Sequence, residues 1–174
     1  MDSLGLDRLV EVQALEGLLG ALAQGLSARH WRLVTAESCT GGLVAAACTS
    51  IAGSSDWFER GYVTYSNASK TESLGVPAEL IERHGAVSRE VAMAMVMGAL
   101  QRSGAQVGVA TTGIAGPSGG SPRKPVGTVW FAWARGQDFV EVECRHFRGD
   151  RTQVRAAATR HALQRVRALL EATE

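Results

Sequence analysis

Leu33-Val34-Thr35-Ala36-Glu37-Ser38-Cys39-Thr40-Gly41-Gly42-Leu43-Val44-Ala45-Ala46-Ala47 decides the fold class. A short apolar run of strand formers gives way to small hydroxyl, thiol and glycine residues, and these give way to a helix-forming run. The chain must therefore turn sharply and open a helix. Such a turn lifts a short nucleophilic side chain from the sheet edge and aims unpaired backbone N–H groups at whatever lies beside it. The stretch reads as a reaction centre or an anion cradle. The plainer alternative is a capped strand-to-helix connection with no ligand.

Working outward, Trp31 to Ala36 is the first strand, and the helix runs from Thr40 to about Ile51, ending at Ala52-Gly53-Ser54-Ser55. Upstream, from Leu4 to about Ala28, leucines at 15, 18, 19, 22 and 26 recur at helical spacing. They predict an amphipathic helix laid against a sheet, for packing ahead of a subunit contact. Downstream, Arg60 to Tyr65 reads as a second strand. Asn67 caps a short helix over Ala68 to Leu74, and Pro77 opens another that ends at Gly85. Ser88 caps a longer helix with Val91, Met95, Ala99 and Leu100 at core spacing. Gln106 to Thr112 is a third strand, followed by the glycine-rich loop Gly113 to Pro122. Thr128 to Ala134 and Phe139 to Phe147 form a hairpin whose second arm has one wet face. Asp150, with Gln153 three residues on, opens the last helix.

Strands alternating with helices and finishing in a hairpin predict an α/β fold, a three-layer sandwich with a mixed, mostly parallel sheet and helices on both faces. One domain spans 1–174, with 1–28 a packing helix and about 29–170 the core.

At 174 residues, 45% hydrophobic, the chain can bury a sizeable core without metals or disulfides. A net charge of +1 gives no electrostatic footprint for nucleic acid or an acidic membrane surface. Cys39, Cys48 and Cys144 are odd in number and follow no metal-ligand spacing, which predicts reduced thiols in a cytoplasmic protein. No apolar stretch approaches spanning length, and the N-terminus, with Asp2, Asp7, Arg8 and Glu11, is unlike a signal peptide.

Ligands of open α/β sheets bind outside the carboxyl ends of the strands. Three segments leave strands there: Ser38 to Gly42, Ser66 to Lys70, and Gly113 to Gly120. Their convergence would gather Ser38, Tyr65, Lys70 and a glycine-rich nest around one pocket. A serine needs a base, and the four histidines, His30, His84, His146 and His161, are scattered over unrelated elements. Lysine can serve if its pKa falls. With Asn67 as cap, Lys70 falls in the first helical turn, where the dipole disfavours a cation by about 0.3–1 kcal/mol. That is less than one pKa unit, so burial must supply most of any larger shift. Tyr65 could hydrogen-bond the lysine or relay its proton. Cys39, a thiol at the same turn, competes with Ser38 for the nucleophile's role, and the residues alone do not choose between them. The glycine-rich loop matches neither a Walker loop nor a dinucleotide fingerprint. Arg123, Lys124 and Arg151 lie near it in sequence, whereas Arg155, Arg160, Arg165 and Arg167 read as a solvated face.

Thr35 to Gly42, Gly61 to Asn67, His84 to Ser88, Thr112 to Pro117, Lys124 to Val129 and Gly149 to Arg151 jointly resemble the motifs of the CinA C-terminal domain family. The resemblance covers about Ser27 to Leu169 and is to the stand-alone form, without the extra N-terminal domain and any pyrophosphatase activity associated with it. It implies an amidohydrolase that converts nicotinamide mononucleotide to nicotinate mononucleotide and ammonia in pyridine nucleotide recycling. It also implies a serine–lysine mechanism with no metal and no cofactor. The nucleophile falls on Ser38, the base on Lys70 and the family's tyrosine on Tyr65. Backbone groups of Thr40, Gly41 and Gly42 would hold the oxyanion. Thr112, Gly113, Ile114, Ala115 and Gly116, with Arg151, would bind the nucleotide. Ser118 departs from the glycine or aspartate of many relatives. The partners implied are the nucleotide itself and further copies of the chain in a homo-oligomer, with no nucleic acid and no membrane. A thiol-dependent amidase using Cys39 and a non-catalytic nucleotide-binding module are the alternatives.

Overall fold

The computed structural model describes residues 12–172. Five strands form one sheet in the order β2-β1-β3-β4-β5, comprising β1 (Leu33–Glu37), β2 (Phe58–Val63), β3 (Val107–Gly113), β4 (Thr128–Arg135) and β5 (Phe139–His146). β1 pairs in parallel with β2 and β3, while β3–β4 and β4–β5 are antiparallel, so β4 alone runs against the other strands. The helices are α1 (Val12–Ala28), α2 (Leu43–Thr49), α3 (Asn67–Leu74), α4 (Ala78–His84), α5 (Arg89–Ser103) and α6 (Arg151–Glu171).

Period-two alternation splits the core in two. Leu33, Val109, Val129, Phe131 and Trp133 point to one face, where they meet α1, α2 and α6. Val34, Ala36, Ala110, Ala132 and Ala134 point to the other and meet α3, α4 and α5. The expected three-layer α/β sandwich, in a single domain, is the observed architecture. Central strands buried on both faces explain the apolar and small residues of β1 and β3.

Leu15, Leu19, Leu22 and Leu26 are buried in the first core beside Leu163, Leu169 and Leu170 of α6. The leucine stripe of α1 is thus engaged within the chain. The part of that expected helix before Val12 lies outside the described residues. The wet face of β5 is covered by α6: the Glu141 carboxylate accepts from Arg165 Nε at 2.7 Å, and His161 Nε2 lies 2.8 Å from Glu143. Arg165 is therefore tied to the sheet, which corrects its assignment to a solvated face. No helix among the described residues is long and apolar enough to cross a membrane.

Most element boundaries differ from expectation by one to three residues, and three of these shifts bear on the site. α2 begins at Leu43 rather than Thr40, because Gly41 and Gly42 take left-handed φ values of 61° and 94° and delay the helix. β2 ends at Val63, two residues before Tyr65. Ser66, not Asn67, caps α3, its hydroxyl accepting the Ser69 amide at 3.0 Å. The capping box of Asp150 and Gln153 on α6 forms as expected.

Candidate active site

β1 lies between β2 and β3, and Glu37 at its end is level with Val63 on one side and Thr111 on the other. The segments leaving the three strands therefore start from one sheet edge. They enclose a cavity of about 320 Å³ whose lining includes Ser38, Cys39, Tyr65, Lys70, Arg151 and Thr112 to Gly116. Ala86, Val87, Ser118 and Gly119 complete it.

Ser38 is the first residue past β1, and its amide donates to the Thr111 carbonyl at 2.9 Å, which fixes its backbone to the neighbouring strand. The side chain is 9% exposed. Lys70 sits one turn into α3 and is 1% exposed. Its Nζ lies 3.1 Å from Ser38 Oγ and donates to the carbonyls of Thr64 at 2.7 Å and Tyr65 at 3.3 Å. Burial lowers the lysine's pKa by disfavouring the ammonium. With Ser66 as cap, Lys70 begins the second turn, beyond the strongest part of the dipole, so burial is the larger cause.

Cys39 is buried beside Ser38, and its thiol is pushed up to about 12, chiefly by burial. Such a thiol is uncharged at neutral pH, and the thiolate is the reactive form.

Tyr65 is 61% exposed, and its hydroxyl does not sit on Lys70 as expected. It accepts from Arg151 Nη2 at 3.0 Å, while Arg151 Nη1 donates to the Gly116 carbonyl at 2.9 Å. β2 stops short of Tyr65, so the ring leaves the sheet and only its backbone carbonyl meets the lysine.

The expected oxyanion stretch requires correction. Thr40, Gly41 and Gly42 do not line the cavity. The Gly41 amide donates to the Ser38 carbonyl at 3.1 Å, and the Gly42 amide donates to the Glu37 carboxylate at 3.0 Å. That carboxylate, 1% exposed, also accepts the amides of Val44 at 3.0 Å and Ala45 at 2.8 Å and the hydroxyl of Thr40 at 2.7 Å. The helix N-terminus read as an anion cradle thus already holds an anion, supplied by the strand before it.

Sequence reasoning missed Glu37 as a site residue. The available signal was an acid just before a glycine pair and a helix start, but it reads equally as the exposed end of a strand. Arg155, assigned from the sequence to a solvated face, is corrected as well. Its Nη2 donates to the Thr40 carbonyl at 2.9 Å and lies where a Cβ on Gly41 would come within 3.2 Å, so α6 braces the turn. Lys124, read as a cation near the loop, instead donates to the Val87 carbonyl at 2.6 Å. The Thr112 hydroxyl donates to the Ala86 carbonyl at 2.7 Å, and these two bonds hold one cavity wall. Among the described residues no group of three His, Cys, Asp or Glu side chains is placed to hold a metal ion.

Comparison with known proteins adds an independent line. The chain is 54% identical over 145 residues to the nicotinamide-nucleotide amidohydrolase PncC of Escherichia coli (strain K12), covering 82% of this chain and 87% of that one. It is 58% identical over 134 residues to the protein of the same name from Pseudomonas putida, covering 77% and 83%. The crystal structure of the competence/damage inducible protein CihA from Agrobacterium tumefaciens superposes with a TM-score of 0.86 at 46% identity, covering 89% of this chain and 94% of that one. The model of the CinA C-terminal domain matches residues 15–170. With the family model, these relatives and the fold in agreement, the chain belongs to the CinA C-terminal domain family.

Proposed function

We propose that the protein hydrolyses the carboxamide of nicotinamide mononucleotide, giving nicotinate mononucleotide and ammonia for pyridine nucleotide reuse, with Ser38 as nucleophile and Lys70 as base. The observation that carries this reading is the 3.1 Å contact between Ser38 Oγ and Lys70 Nζ beside the cavity, with the lysine buried. The relatives named for this activity supply the substrate.

A neutral amine has two N–H donors and one lone pair. The Thr64 and Tyr65 carbonyls, nearer than the Ser66 carbonyl at 3.5 Å, accept the two donors, which leaves the lone pair for the Ser38 hydroxyl. Lys70 takes the hydroxyl proton as Ser38 Oγ bonds to the carboxamide carbon. The tetrahedral adduct then collapses, its C–N bond breaks, and the lysine proton leaves with ammonia. Water, deprotonated by the same amine, releases the acid. In the same reading the enzyme works in the cytoplasm as a homo-oligomer, with its thiols reduced.

The test is ammonia release by wild type, Ser38→Ala, Lys70→Ala and Cys39→Ala without added metal. Wild type and Cys39→Ala are expected to turn over, and the other two to fall by about a thousandfold or more. Turnover retained in Ser38→Ala overturns the assignment. Loss confined to Cys39→Ala selects the thiol, and a wild type that binds the nucleotide without releasing ammonia is a binding module.

A further inference from the structure

Arg151 faces the cavity as a cation without a counter-ion. Among the described residues no carboxylate pairs with it, and it donates to two neutral oxygens, the Gly116 carbonyl and the Tyr65 hydroxyl. These partners differ in kind. The carbonyl belongs to the backbone of the cavity wall, whereas the phenol is carried by a side chain that is 61% exposed and can return to water at little cost. A guanidinium binds a phosphate dianion through paired, charge-assisted hydrogen bonds far more strongly than it binds a neutral phenol.

We propose that the Tyr65 hydroxyl is an internal stand-in for an anionic oxygen on Arg151. A phosphate monoester then enters by displacing it while Gly116 keeps the guanidinium oriented. The exchange makes Tyr65 a specificity-determining residue: it keeps the cation satisfied against weak ligands and yields only to a charged one. The nucleoside, which lacks the phosphate and carries only the positive pyridinium, gains nothing from the cation. This inference rests on the nucleotide reading of the cavity, but it concerns binding alone.

The test is calorimetric titration of Ser38→Ala protein, with and without Tyr65→Phe, using ribose 5-phosphate, nicotinamide mononucleotide and nicotinamide riboside. Removing the phenol is expected to tighten both phosphate-bearing ligands about three- to tenfold and to leave the riboside unchanged. In an Arg151→Gln background that gain is expected to vanish. A Tyr65→Phe that weakens phosphate binding, leaves it unchanged, or shifts all three ligands equally overturns the proposal. The chain has only two tyrosines, so fluorotyrosine labelling gives a second readout in otherwise unaltered protein. Ribose 5-phosphate should move one ¹⁹F resonance and ribose neither; a spectrum unmoved by saturating ribose 5-phosphate also overturns it. Because these readouts need no turnover, failure of the latch is distinguishable from failure of ammonia release.

Discussion

In the proposed mechanism the chemistry of the site depends on the protonation of one side chain. Lys70 is held beside Ser38 by carbonyls, which favour an ammonium, within surroundings that disfavour it, and burial prevails in direction. The base must be neutral, so kcat/KM should rise with pH along an acid limb whose midpoint lies below 10.5, the ordinary lysine value. The same shift has a stability consequence. Folding lowers the pKa, so the unfolded chain binds the proton more readily between the two values. Stability linked to this group is fully present above the unfolded value and lost as pH falls through the folded one. The melting-temperature advantage of wild type over Lys70→Met should therefore grow as pH is raised toward 10.5, and a pH-independent difference would show an unshifted lysine. The sequence offered Ser38 and Lys70 as a pair because each follows a strand end. It could not rank Ser38 against Cys39, because burial of the thiol is decided by residues far along the chain.

At the scale of elements, the turn between β1 and α2 is organised by Glu37. Its carboxylate accepts three amides from the start of α2 and the hydroxyls of Thr40 and, at 3.3 Å, Thr35. Glutamine at this position offers one acceptor oxygen and turns an NH₂ group toward donors that need an acceptor. Glu37→Gln is thus expected to cost about 2–4 kcal/mol, from unsatisfied buried amides and the lost charge–dipole attraction. Chemical denaturation measures this directly, and a change below about 0.5 kcal/mol would show that the turn holds itself. The existence and type of these elements were legible from glycines, caps and apolar spacing. Their ends were not, because rival caps differ by a single hydrogen bond. Ser66 and Asn67 are both competent, and the choice of Ser66 moves Lys70 by one position in α3.

The two cores of the molecule do different work. α1, α2 and α6 cover one face of the sheet, while the face covered by α3, α4 and α5 holds the helix that carries Lys70. Alternation along the strands made both faces legible, and the rule for strand ends located the cavity. The close approach of α3 to α5 left no comparable signal beyond a lone glycine. A Cβ on Gly98 would lie 2.0 Å from the Leu74 carbonyl oxygen, a backbone atom one turn past Lys70. Gly98→Ala must therefore push α3 away and carry the lysine with it. Overpacking of this kind costs about 1–3 kcal/mol or more, and here it should also lower kcat at temperatures where the variant is folded. Leu22 is fully buried in the opposite core, on a helix that contributes nothing to the cavity lining. Leu22→Ala should cost about 2–5 kcal/mol, a fall in Tm of several degrees or more, yet leave kcat at 25 °C unchanged. Measuring Tm and kcat on both variants separates the faces. If Leu22→Ala loses kcat in step with stability, the sheet transmits disorder between its faces, and the site is a property of the whole core rather than of the face that carries Lys70.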